Sequence, residues 1–99
     1  ANHPIKNEDT ASVINALEND SKVEKATFNI VCRKVSFIVT LKNGTSKADA
    51  KSLASIILDK LSDDIKSYYD LEVTFKQTEE SDEYPFSGYK QRTRDNFVF

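Results

Sequence analysis

Residues 45–77 read TSKADAKSLASIILDKLSDDIKSYYDLEVTFKQ, and their patterning decides the fold. Ala50, Leu53, Ala54, Ile57, Leu61 and Ile65 recur three or four residues apart, which places them on one face of a helix. Ile56 and Leu58 widen that stripe, while Lys51, Ser55, Asp59 and Asp63 fall where they can meet water. Ser46 followed three residues later by Asp49 fits a capping box, and the Asp49 charge complements the positive end of the helix dipole. The spacing predicts one helix over 46–65, about 28 Å long. After it, Tyr69, Leu71, Val73 and Phe75 alternate with Tyr68, Asp70, Glu72, Thr74 and Lys76. That period of two predicts a strand with one apolar and one wet face.

Working outward, Val35, Phe37, Val39 and Leu41 alternate in the same way before Asn43-Gly44 breaks the chain. Strand, crossing helix and returning strand make a βαβ unit. Upstream, Ala26, Phe28, Ile30 and Cys32 share one face of a further strand starting near Val23. Only Arg33-Lys34 separates the two strands, which predicts a hairpin. Neither residue favours the positive φ that two-residue turns use, so a looser turn is expected. Asp9 or Thr10 can cap a short helix through Asn19 with Val13, Ile14 and Leu17 inward, and residues 1–8 read as a flexible lead-in. Beyond the third strand come an acidic loop, Glu79 to Glu83, an aromatic turn from Tyr84 to Tyr89, and a final strand or hairpin over 90–99.

The expected fold is therefore α+β. It is a two-layer sandwich of αββαβ order with an additional C-terminal strand, and two helices lie on one face of a mixed sheet. Residues 9–99 form a single domain in this reading. Ninety-nine residues with 38% hydrophobic and 30% charged side chains are ordinary for a globular domain. The net charge of −2 gives a nucleic-acid partner no support. No apolar run reaches the roughly 18 residues that a membrane span needs. The chain starts at Ala1, which suits a processed protein or excised domain whose targeting segment lies upstream.

The αββαβ order, Val13 to Asp20, the hairpin, and the run Asn43-Gly44-Thr45-Ser46-Lys47-Ala48-Asp49-Ala50 together resemble a BON-type domain over residues 10–77. The family's hairpin glycine is replaced here by Cys32-Arg33-Lys34-Val35. The closing run from Tyr84 to Phe99 is similar to small lipoprotein or membrane-anchored domains of Bacillus-like, Gram-positive bacteria. The resemblance implies an extracytoplasmic domain that binds phospholipid or envelope surfaces and is held to the membrane only through an upstream anchor absent from this chain.

Few residues carry chemistry. His3 is the sole histidine and stands without rigid partners. Cys32, the sole cysteine, reads as a buried structural thiol on its strand, with no Cys-X-X-Cys partner to make it redox-active. The acidic loop lacks calcium-loop spacing, and Asp63-Asp64 reads as the end of a helix rather than a catalytic pair. With no phosphate loop, nucleophile triad or zinc spacing, the expectation is a protein that is not an enzyme and uses no cofactor or metal. The most distinctive stretch is C-terminal. On an extended strand Lys90, Arg92 and Arg94 would share one face, bordered by Tyr84, Phe86 and Tyr89. That arrangement suits an anionic partner, whereas the plainer reading is an edge strand using charge to resist edge-to-edge pairing above core aromatics. The expected function is a monomeric, non-enzymatic binding module whose partner is an unknown protein or an anionic envelope component. The alternative is an assembly domain that pairs through an exposed strand edge.

Overall fold

The computed structural model describes residues 5–99, so His3 lies outside the described residues. The chain forms α1 (Asn7–Glu18), β1 (Val23–Val31), β2 (Lys34–Leu41), α2 (Lys47–Ser52), α3 (Ala54–Lys60), α4 (Asp63–Tyr68), β3 (Asp70–Lys76) and β4 (Phe86–Lys90). The strands make one four-stranded sheet in the order β1-β2-β3-β4. The outer pairs are antiparallel and the central pair β2–β3 is parallel, so the sheet is mixed and the fold is a two-layer α+β sandwich. No helix among the described residues is long and apolar enough to cross a membrane.

Register explains the core. Three rows run across the sheet on the helix side: Ala26–Val39–Phe75–Phe86, Phe28–Phe37–Val73–Gly88, and Ile30–Val35–Leu71–Lys90. Their central members, on β2 and β3, are fully buried under Val13, Leu17, Leu53 and Ile57. Cover thins toward the edges, because α1 packs on β1 and α3 but leaves Phe28 and Ile30 at 42% and 38% exposure.

The expected helical stripe is present: Ala50, Leu53, Ala54, Ile57, Leu61 and Ile65 are all buried. Its continuity is not. Ser46 caps α2 by accepting the Asp49 amide at 3.1 Å, as its position predicts. The helix then tightens at Leu53, whose amide bonds the carbonyl of Ala50 three residues back, as the Ile56 amide does to Leu53. Ser52 and Ser55 turn their hydroxyls onto the Asp49 and Ser52 carbonyls at 2.6 and 2.8 Å, which competes with regular helix bonding. At Leu61 the backbone is extended, and Ser62 starts α4 by accepting the Ile65 amide at 3.2 Å. Asp63 and Asp64 therefore begin a helix rather than end one, sitting in the first turn where negative charge suits the dipole.

Two other expectations change. α1 begins at Asn7, before the expected caps, with Asp9 in its first turn accepting the Lys6 amide at 2.9 Å. Ile5 packs against the core and its amide donates to the Tyr69 hydroxyl, so the fold reaches into the expected lead-in. The hairpin is tight instead of loose: Val31 pairs with Lys34, leaving Cys32-Arg33 as the turn. Cys32 takes the positive φ of 54° and is exposed, so it is not the buried strand thiol expected. Arg33 holds this turn, its guanidinium lying 4.1 Å from the Tyr68 ring centre while Nε donates to the Tyr68 carbonyl at 3.1 Å. The Asp70 amide in turn donates to the Arg33 carbonyl at 2.8 Å. These contacts offset the roughly 1–2 kcal/mol that left-handed backbone costs a non-glycine residue.

Candidate functional site

β4 stops at Lys90 because Gln91 to Arg94 form a turn, closed by the Arg94 amide on the Gln91 carbonyl at 2.9 Å. The chain then returns, and Val98 exchanges both backbone bonds with Tyr89 at 2.9 and 2.8 Å. This return occupies the β4 edge at Tyr89. Val98 joins Tyr89 on the open face, and the Phe99 ring lies over Gly88, where a Cβ would overlap it. Phe99 also meets Phe75 and Phe86 with ring centres 6.3 and 5.9 Å apart.

The basic residues do not share a strand face. Lys90 stands opposite Leu71 on the core side and is 3% exposed. Its ammonium donates to the Lys66 carbonyl at 2.9 Å and the Gln91 carbonyl at 3.4 Å, and burial, with Lys66 close by, pulls its pKa down. Arg92 lies in the turn and grips Asp70: Nη2 to Oδ2 at 2.8 Å, Nε to Oδ1 at 3.2 Å and its amide to Oδ1 at 2.8 Å. Arg94 is exposed and makes no ion pair among the described residues. The fold nonetheless gathers all three, with Lys66, around one cleft of about 380 Å³ between α4 and the turn. Lys66 was not anticipated, and α4 positions it only because the long helix breaks at Leu61.

The aromatic border separates as well. Tyr84 is buried and donates its hydroxyl to the Thr45 carbonyl at 2.7 Å, with burial raising its pKa. Phe86 is half-buried against Phe75 and Tyr84. Tyr89 alone stays exposed on the open face, beside Glu72, whose hydrogen bond and charge raise its pKa.

That open face is polar and largely self-paired. Glu72 accepts from Lys34 at 3.0 Å and from Ser36 at 3.0 Å, and Thr74 meets Ser87 at 2.7 Å. The Arg92 bonds hold the Asp70 carboxyl down at about 2, below the usual 3.8. A carboxylate depressed on folding stabilises above its unfolded pKa and loses that contribution as pH falls through its folded one. Acid should therefore weaken the C-terminal turn between about pH 4 and pH 2, a window that Glu72 and Asp20, both also lowered, enter from the same side. Because the Asp70 side chain is 39% exposed, Asp70→Asn should lower stability at neutral pH by no more than about 1 kcal/mol. It should flatten acid unfolding in that window, as followed by circular dichroism, and an unchanged acid profile would contradict this role.

The other distinctive feature is the outer edge of β1. In a hairpin closed at Val31 and Lys34, alternate β1 residues bond to β2. Ala26, Phe28 and Ile30 therefore turn their backbone groups away from the sheet. Glu18 occupies the first of these by accepting the Ala26 amide at 3.0 Å. From Thr27 to Val31 the edge carries no charge, and Phe28, Ile30 and Val31 are exposed. Natural edges are usually blunted by charge, proline or cover. The uncharged run was visible in the sequence; that β1 is an edge strand was not.

Among the described residues no group of three or more His, Cys, Asp or Glu is placed to hold a metal ion. No protein-family model, curated protein or solved structure matches the chain.

Proposed function

We propose that this protein is a non-enzymatic interaction module that accepts an extended segment of another protein as an added strand on β1. The observation that carries it is the asymmetry of the sheet edges. Among the described residues the chain's own return at Val98 pairs with the β4 edge at Tyr89, whereas no strand pairs with the outer edge of β1, where Phe28 and Ile30 are exposed. Backbone bonds along such an edge supply affinity, and side chains at alternate positions supply selectivity. The BON-type resemblance supports an extracytoplasmic setting with an upstream membrane anchor, which we include in the proposal.

Selection of short displayed peptides against the chain, with Ile30→Lys as counter-selection, tests this reading. Bound peptides should alternate apolar residues and protect the Phe28 and Ile30 amides from hydrogen exchange. Ile30→Lys should weaken them by tenfold or more, while its own stability falls by no more than about 1–2 kcal/mol, as expected for a partly buried side chain at the edge of the core face. Peptides that bind both forms equally would refute strand addition.

A further inference from the structure

We propose that the cleft between α4 and the Gln91–Arg94 turn binds a phosphate-type oxyanion group. Lys90 is the starting point, because a buried ammonium needs either a counter-charge or a full set of acceptors. Its contacts are two carbonyl oxygens, one of them at 3.4 Å, for a group with three N–H donors. No carboxylate pairs with it among the described residues.

The neighbours deepen the surplus of positive charge. Lys66 donates to the Leu58 carbonyl at 2.9 Å and meets Asp63 only at 3.6 Å, and that carboxylate is fully solvated, so the pair neutralises little of its charge. Arg94 lines the cleft without an ion pair among the described residues. Arg92 is committed to Asp70 and serves as a fixed wall. Asp95 is the remaining acid on the lining, and the Ser67 and Thr93 hydroxyls complete it. Lys66, Lys90 and Arg94 thus bring three cationic side chains with spare N–H donors to one cleft, which suits an anion with several acceptor oxygens. The volume of about 380 Å³ leaves room for the group that carries the phosphate. This site is independent of strand addition at β1.

Titrating the whole chain with inorganic phosphate at constant ionic strength, read by amide and lysine side-chain NMR, tests the assignment. Saturable shifts should be confined to residues 63–67 and 90–95. Arg94→Ala and Lys66→Met should each weaken binding about tenfold, the loss expected for one charge-assisted hydrogen bond, with spectra unchanged outside the cleft and, for Lys66→Met, outside the neighbourhood of Leu58, whose carbonyl Lys66 bonds. Phosphatidylcholine vesicles with and without phosphatidic acid separate the sources. Sedimentation with phosphatidic acid alone, lost in Arg94→Ala, assigns a lipid-borne phosphate, whereas phosphate saturation without vesicle binding assigns a soluble one. Shifts that chloride reproduces, affinity unchanged in both variants, or no response to either probe would overturn the proposal.

Discussion

Replacing Ile57 with Asp should abolish the cooperative folded state. Ile57 is fully buried on α3, which packs on α1, and belongs to the common core. The substitution forfeits about 1.5–3 kcal/mol of apolar burial. It also places a carboxylate where no donor waits, a further loss of several kcal/mol unless the group takes up a proton. The sum approaches the roughly 5–15 kcal/mol by which a domain of this kind is stable. Asp59→Ala, two residues away and exposed, should stay within about 0.5 kcal/mol of the parent. Urea unfolding followed by circular dichroism measures both. A cooperatively folded Ile57→Asp protein with the parent's midpoint would show that the helix layer does not hold the core.

Phe75→Ala should cost about 3–5 kcal/mol, the range for truncating a fully buried aromatic. Phe75 is 0% exposed and stands in its row between Val39 and Phe86. Its effect should reach beyond the cavity it leaves. Phe86 lies 5.4 Å and Phe99 6.3 Å from it, ring centre to ring centre, so the returning C-terminal segment packs in part on this side chain. Hydrogen exchange of the Val98 amide, which bonds the Tyr89 carbonyl, should accelerate more than that of Val35 at the hairpin end of the sheet. Uniform acceleration would indicate global destabilisation without this local coupling. The contrast with Phe28 is instructive: both residues lie on the helix side of the sheet, yet Phe28 is 42% exposed and should contribute far less.

That contrast shows where sequence reading stopped. Alternation from Ala26 to Ile30 correctly placed Phe28 with the apolar set, because the side-chain period of a strand is a local property. Whether a helix covers that part of the face is decided by where α1 docks, which no local pattern encodes. Lys90 illustrates the same limit from the other side. Its parity with Arg92 and Arg94 was plain, but pairing with Leu71 turned it to the core, and the turn after it removed the other two from the strand. The phosphate-type cleft and the open β1 edge were therefore not legible as sites, although their residues were.

From the sequence alone came the α+β class, the strand-helix-strand centre and the buried stripe Ala50, Leu53, Ala54, Ile57, Leu61 and Ile65, because hydrophobic periodicity and capping act within a few residues. Tertiary structure alone decided that residues 46–65 form broken segments rather than one helix. Leu53 and Leu61 stay buried at the breaks, and Ser52, Ser55 and Ser62 supply substitutes for the backbone bonds given up there. The stripe survives the breaks, and the break at Leu61 is what swings Lys66 into the cleft with Lys90.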